Sequence, residues 1–272
     1  MGGGKEGYRG SAKESHWAVE FSFNTPILTR IEATQYWKLS SDTIFRGLFW
    51  AALQIFGERV VEELVRDEIM AISSMILLKD GKPFIPNCGM RAYVAIDESD
   101  AIDPSELVGT KFMLRVPRAE GFDAVPFEYN ALFTVGHKWI IVGKSSAKSV
   151  DYILPSFRLL GEVGFGAKRS RGFGRFSITK VEHPSYYGLA ISESGILVSR
   201  YLPQKDEEVV GESIYYEDIA VNLGAQTLTQ RVIAEGSRLL KCDRGKIEFL
   251  KDSLGNYAPV LLRPLIIQPT TY

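Results

Sequence analysis

The chain reads as an α+β protein, with a ferredoxin-like first unit carrying an irregular insertion and a strand-rich second unit of similar topology. Three observations predict this. Apolar periodicity alternates between strand and helix spacing in the order strand, helix, strands, helix, strand between Trp17 and Thr179. A basic glycine-rich run, Gly164–Arg175, sits between the last helix and the last strand of that series. Beyond His183-Pro184 the pattern changes to short apolar segments punctuated by glycine. The expected division is a tail over 1–14, a first unit over 15–182 and a second over 183–272.

Residues 1–14 are glycine-rich, lack the apolar core of a signal peptide and are expected to be flexible. From Trp17 to Phe23, Trp17, Val19, Phe21 and Phe23 alternate with Ala18, Glu20 and Ser22, which predicts a half-buried strand ended by Thr25-Pro26. Ser41 or Asp42 can cap a helix whose apolar residues are Phe45, Leu48, Phe49, Ala52, Ile55 and Phe56, with Gly57 just past its end. A short helix from Glu58 to about Arg66 follows. Ile72–Pro86 reads as a hairpin turning at Asp80-Gly81. Residues 87–125 are acidic and weakly periodic, as an irregular insertion would be. Asn130–Val142 reads as two strands around Gly136-His137. Val150, Ile153, Leu154, Phe157 and Leu160 share a helical face that Pro155 either kinks or begins. Phe176 and Ile178 then alternate with Ser177 and Thr179 in a strand. In the second unit, Tyr187–Tyr201 forms a hairpin near Glu193-Ser194-Gly195. Further strands surround Leu239, Phe249 and Ile266, with turns at Gly236, Gly245 and Gly255.

At 272 residues the chain is long enough to bury a substantial core, and 45% hydrophobic with 24% charged residues describes an ordinary soluble protein. No apolar run is long enough for a membrane helix. Two isolated cysteines, Cys88 and Cys242, argue against a disulfide framework and for a reducing cytoplasm. A net charge of -1 means that any nucleic-acid surface is local. Acidic stretches lie at Asp97, Glu98, Asp100, Asp103 and Glu106, and at Asp206, Glu207, Glu208 and Glu212.

The run from Val163 to Lys180 carries five basic residues and no acidic one. Glycines 164, 166, 172 and 174 permit positive φ and close backbone approach. Lys168, Arg169, Arg171 and Arg175 supply charge for phosphate oxygens, and Phe165 and Phe173 could offer stacking faces. The plainer reading is a solvated turn with its aromatics in the core. Neither the P-loop nor the dinucleotide-loop spacing of glycines is present, which excludes the common nucleotide cofactors. Ser41-Asp42-Thr43 could present N–H and hydroxyl groups to a phosphate at the helix start, with Arg46 one turn on, or could simply cap the helix. Catalytic signals are thin. His16, His137 and His183 lie far apart in sequence, no metal-ligand spacing occurs, and no nucleophile elbow is present.

Taken in order, four landmarks resemble the RAMP superfamily of CRISPR RNA-guided effector subunits, and within it the family of fourth subunits of subtype III-A (Csm) complexes. They are Ser41-Asp42-Thr43-Ile44-Phe45, Ser73-Ser74 followed by Phe84-Ile85-Pro86, the run Leu159–Phe176 with its glycine loop, and Ala234-Glu235-Gly236-Ser237. The resemblance spans nearly the whole chain. Pro155 and the aromatic Phe165 depart from the family pattern.

The resemblance implies two RRM-like domains and a cytoplasmic role without catalysis or cofactor. It implies that the subunit grips the 5′ handle of the crRNA, caps the backbone filament and docks the large polymerase-nuclease subunit. Carried over, Gly164, Gly166, Lys168, Arg169, Ser170, Arg171, Gly172, Phe173, Gly174 and Arg175 become the RNA loop, with Ser41, Asp42, Thr43 and Arg46 beside it. Three alternatives remain. A crRNA-processing endonuclease would use a histidine, but its glycine loop lies near the C-terminus, whereas here a long second half follows Arg175. A target-cleaving backbone subunit would use an aspartate such as Asp97, Asp100 or Asp103. An assembly protein would dock through its acidic stretches without touching RNA.

Overall fold

The computed structural model of the chain describes residues 13–28, 38–115, 125–132, 136–166, 169–223, 226–251 and 257–270. The expected tail falls outside these, except for residues 13 and 14. Strand β1 (Glu14–Phe23) leads through β2 (Ile27–Leu28) to helices α1 (Ser41–Phe56) and α2 (Glu58–Arg66). Short strands follow: β3 (Ala71–Ile72), β4 (Ile76–Lys79), β5 (Lys82–Asn87), β6 (Ala92–Ala95) and β7 (Ala101–Ile102). The hairpin β8 (Val108–Arg115) and β9 (Val125–Leu132) precedes β10 (Lys138–Ser146), α3 (Ala147–Val163) and β11 (Phe176–Glu182). The main sheet is antiparallel in the order β11-β1-β10-β4-β5-β6-β7, with β3 also pairing β10.

Local chemistry explains most of these elements. Asp80 and Gly81 both take positive φ, 51° and 78°, as a tight two-residue hairpin turn requires. Ser146 caps α3 by accepting from the Ser149 N–H at 3.3 Å. Pro155 lies inside α3 and not in its first turn, and Ile153, Phe157 and Leu160 are buried around it. The helix α1 starts differently from expectation. Its N-cap is Ser40, which makes no side-chain capping bond, and Ser41 and Asp42 already belong to the helix. The region expected to be irregular is also more ordered. β6 and β7 extend the main sheet, while β8 and β9 form a small sheet with β2. Tyr93, Ala95 and Ile102 enter the core on the helix side, and Ile85 on the other. Burial on both faces removes the alternation that marks a half-exposed strand.

The second half contains β12 (Leu189–Ser192), β13 (Gly195–Leu197), β14 (Val210–Ser213), β15 (Tyr216–Leu223), β16 (Gln226–Ile233), β17 (Arg238–Lys241), β18 (Lys246–Lys251), β19 (Tyr257–Leu262) and β20 (Ile266–Pro269). Five of them form the sheet β12-β20-β13-β17-β14, and β15–β16 and β18–β19 are separate hairpins. Among the described residues no α-helix follows α3. The class is therefore α+β, with the helices confined to the first half.

The main sheet is the middle layer. On one face Trp17, Val19, Phe21 and Phe23 pack with Ile44, Phe45 and Leu48 of α1 and Ile153, Phe157 and Leu160 of α3. On the other, Ala18, Ile76, Ile140 and Val142 pack against Leu189, Ile196, Leu265 and Ile267 of the second half. This corrects the half-buried strand expected for Trp17–Phe23: the second half covers the face that alternation assigned to solvent. Glu20 is buried there and accepts hydrogen bonds from Lys138 Nζ at 3.0 Å, Thr179 Oγ1 at 2.9 Å and Tyr187 Oη at 3.0 Å. Burial pushes its carboxyl up, but these donors and the Lys138 charge hold it below the usual value.

Candidate nucleic-acid interface

The glycine run folds as a pinned loop. Its entry is fixed by Gly164 N–H donating to Leu160 O at 2.6 Å, the end of α3. Phe165 N–H then donates to Gly174 O at 3.0 Å, so the loop closes on itself. The segment after β1 supplies the floor. Thr25 Oγ1 donates to Gly172 O at 2.8 Å and accepts from Arg175 N–H at 3.0 Å, and Gly174 N–H donates to Pro26 O at 2.9 Å. The residues predicted only to end a strand therefore hold the loop in register.

The four loop glycines all have positive φ, but they do different work. A Cβ on Gly164 would strike Phe173 O, one on Gly174 would strike Phe165 O, and one on Gly166 would lie 2.6 Å from Ile27 Cγ2. These three glycines allow the protein's own backbone to pack. Only Gly172 faces open space, with Arg175 Nε at 3.9 Å as the nearest atom. The aromatic expectation is corrected too. Phe165 and Phe173 are 3% and 9% exposed, so neither presents a stacking face. Phe165 lies parallel to Phe176, with ring centroids 5.3 Å apart, and its edge reaches α1 at Gly47.

What the loop turns outward is a 3₁₀ turn, Arg169–Arg171, followed by Arg175, and Arg169, Ser170, Arg171 and Arg175 are all exposed. Among the described residues no carboxylate pairs with any of the three arginines. Lys168 lies outside the described residues. The Arg169 guanidinium sits 5.7 Å from the centroid of Trp50, which is 36% exposed on α1. Thr43, Arg46 and Trp50 share one face of α1 at helical spacing. Arg46 Nη2 lies 3.7 Å from Asp42 and 3.5 Å from Thr43, and its Nε has no hydrogen-bond partner among the described residues. Arg46, Trp50 and the loop arginines thus form one basic surface with a half-exposed indole in it. Sequence reading passed over Trp50; its clue was an indole at the edge of the apolar stripe of α1.

Ser41 and Asp42 do not join this surface. Both are 1% exposed, which corrects their expected place as a phosphate-facing helix entrance. Ser41 Oγ accepts from Arg200 N–H at 3.0 Å, and Ser41 N–H donates to Ser74 Oγ at 2.9 Å. Asp42 Oδ1 accepts from Arg200 Nη1 at 2.8 Å. Ser74 Oγ donates to Glu235, whose other oxygen accepts from Lys38 Nζ at 2.6 Å. Glu217 Oε2 accepts from both Lys38 Nζ at 3.1 Å and Arg200 Nη2 at 3.0 Å. Three landmarks far apart in sequence, at 41–42, 73–74 and 234–237, meet in this one buried network between the two halves.

The network also settles the cysteine. Cys88 Sγ accepts from Lys38 Nζ at 2.7 Å, and burial together with the Glu235 charge pushes the thiol up to about 12. Cys88, Glu217 and Glu235 are close enough to ligate a metal. Lys38 already places its ammonium on all three, so a metal cation would meet a like charge there. Burial opposes the Lys38 charge, but Glu235, Cys88 and Glu217 together more than offset it and raise its pKa.

The remaining candidates are structural in their contacts. His16 and His183, distant in sequence, come within 5.8 Å between ring centroids where β1 pairs β11. His16 is tied to Glu14 at 2.8 Å, and His183 Nδ1 accepts from Ser185 N–H at 3.3 Å. Asp97 accepts from Ser99 N–H at 3.1 Å, and Asp103 accepts from Ser105 N–H at 2.7 Å to start a 3₁₀ turn.

The class this defines is an α+β fold carrying a pinned basic loop between a helix and an edge strand. Solved structures narrow the likeness. A chain of the Csm3–Csm4 subcomplex of the type III-A CRISPR-Cas interference complex aligns over 95% of this chain and 100% of its own, at 13% identity and a TM-score of 0.59. A chain of the Csm1–Csm4 cassette in complex with pppApA aligns over 96% and 100%, at 18% identity and a TM-score of 0.57. The same cassette in complex with cA4 gives 19% identity and a TM-score of 0.55 over 96% and 100%. The chain therefore shares the fold of a component of these type III-A assemblies, in all of which Csm4 is present. No protein-family model and no curated protein matches the sequence.

Proposed function

We propose that this chain is a non-catalytic RNA-binding subunit of a type III CRISPR effector, holding the 5′ handle of a crRNA on the glycine loop. One observation carries the reading: Arg169, Arg171 and Arg175 project unpaired, among the described residues, from a loop whose backbone is pinned at Thr25 and Pro26 and braced against α1. Rigid backbone placement lets guanidinium groups meet phosphates without first ordering a flexible segment. Arg46 and Trp50 extend the surface along α1, Trp50 as the stacking face that Phe165 and Phe173 do not provide. The partners are the large polymerase-nuclease subunit and a backbone RAMP subunit, by analogy with neighbours solved in assemblies with Csm1 and Csm3. The working division is 15–182, RRM-like with the strand order β11-β1-β10-β4 and with α1 and α3 on one face, and 183–272, a strand-rich second domain that carries no α-helix among the described residues. The site of action is the cytoplasm.

Two tests address this reading. The purified chain should cleave neither RNA nor DNA, with or without Mg²⁺ or Mn²⁺. Cleavage of a repeat RNA that disappears in His16→Ala or His137→Ala would establish the processing-endonuclease alternative instead. A tagged chain expressed in its native host should co-purify with a large CRISPR subunit, a backbone subunit and crRNA. Recovery of the chain free of all three would remove the assignment.

A further inference from the structure

The β18–β19 hairpin creates a second basic surface built from other residues than the glycine loop. An open groove of about 480 Å³ lies between this hairpin and the end of α2, lined by Val65, Gln204, Lys205, Lys246, Phe249 and Arg263 among others. Three lining residues are cationic and none is acidic. Arg263 is the informative one. Its half-buried guanidinium donates through Nη1 to the carbonyls of Asp67, at 2.5 Å, and Met70, at 3.3 Å. Among the described residues no carboxylate forms an ion pair with it. Burial holds its pKa below the usual arginine value, although the nearby Asp67 and Glu68 charges act the other way.

The carboxylates flanking the floor are committed elsewhere. Asp67 accepts from Ser146 N–H at 2.9 Å, Ile69 N–H at 3.1 Å and Ser149 Oγ at 2.5 Å. Glu207 accepts from Gly245 N–H at 3.0 Å and Gln204 N–H at 2.7 Å. At the rim Lys246 pairs with Glu248, while Lys205 is exposed with no carboxylate on it among the described residues. Phe249 stands in the mouth, 51% exposed. A desolvated guanidinium, a lysine with a free ammonium and an exposed aromatic ring together match a phosphate and its adjoining base.

We propose that this groove is a second single-stranded RNA site, in which Arg263 and Lys205 receive a phosphate and Phe249 stacks a base. It goes beyond the glycine-loop reading and stands on different residues, so the two can fail separately. The test uses the full chain and a single-stranded RNA bearing 4-thiouridine. We expect a photo-crosslink to the peptide containing Phe249. Phe249→Ala should weaken binding about tenfold, the loss of roughly one stacked base. The variant Lys205→Ala should flatten the log–log salt dependence by about 0.7, the value for one charge on a single strand. Unchanged thermal midpoints would show that both variants fold. Crosslinks confined to the glycine loop, with the groove variants binding as the parent does, would overturn this proposal and leave the loop reading intact. Loss of binding in the groove variants but not in a loop-arginine variant would support it and remove the loop reading. Inorganic phosphate held in the groove without any crosslink to the RNA would overturn it as an RNA site.

Discussion

Replacing Lys38 with methionine is expected to destabilise the fold by about 3–5 kcal/mol, the range for removing one partner from a buried ion network. Lys38 Nζ sits between Glu235, Glu217 and Cys88, and its side chain is almost wholly buried. Without it the buried Glu235 and the part-exposed Glu217 face each other with Arg200 as the cation left between them, while Asp42 keeps both Arg200 and Arg46. The penalty falls on the joint between the halves, because Lys38, Asp42 and Ser74 belong to the first and Arg200, Glu217 and Glu235 to the second. The pH dependence supplies a second readout. Burial pushes Glu235 up, but Lys38 and Arg200 outweigh it and hold the folded pKa below the ordinary 4.5. A carboxyl lowered on folding contributes stability that is complete above its unfolded pKa and is lost as pH falls through the folded value. The parent chain should therefore lose this contribution only below about pH 4.5. In Lys38→Met the balance tilts toward burial, so protonating Glu235 relieves the strain and the gap between variant and parent should narrow on acidification. Denaturant unfolding across a pH series reads both effects. A loss below about 1 kcal/mol that does not vary with pH would mean that water fills the interface and screens the charges.

This network shows where sequence reading stops. The strand of Trp17–Phe23, the helices and the Asp80-Gly81 turn were legible because each depends on periodicity or on backbone chemistry within a few residues. Ser41, Asp42 and Ser74 stood out as landmarks, the first two read toward RNA, yet their partners lie more than a hundred residues away in Arg200 and Glu235. Nothing local marks a serine or aspartate as facing inward rather than outward. The same blindness affected Ala18 and Glu20, whose polar-looking face is buried by a unit folded from the other end of the chain. In the loop the three arginines are exposed as the sequence led one to expect, because guanidinium groups without partners stay in water. For the phenylalanines the sequence left both a stacking face and the core open, because a glycine-flanked aromatic can face either way; burial of both, and the Phe165–Phe176 stack, decide for the core. Trp50 went unremarked since the same period that buries Ile44, Phe45 and Leu48 carries it to the edge of the stripe.

The triple variant Arg169→Ala/Arg171→Ala/Arg175→Ala should lose on the order of a hundredfold in affinity for a 5′-handle RNA in the assembled complex, at roughly 1 kcal/mol for each charged hydrogen bond. Its log–log salt slope should shrink by about 2, because three single-strand phosphate contacts no longer release counterions. The loss should be nearly uniform across RNA sequences, since phosphates carry no base information. The three side chains are exposed, so folding should be unaffected. The glycines separate binding from architecture. Gly174→Ala drives a Cβ into Phe165 O at a φ of +72°, so the loop must open, and stability and RNA affinity should fall together. Gly172→Val points into open space at a φ of +83°. It should cost about 1–2 kcal/mol of backbone strain while blocking a phosphate from coming close, with the arginines and hence the charge left in place. A salt slope preserved in Gly172→Val but reduced in the triple variant would separate steric exclusion from charge removal. A folded triple variant with the parent's affinity and slope would leave the loop as a turn that only joins α3 to β11, with its arginines serving solubility. Because Gly164, Gly166 and Gly174 are each required by the protein's own backbone, that result would also account for three of the four glycines without any RNA.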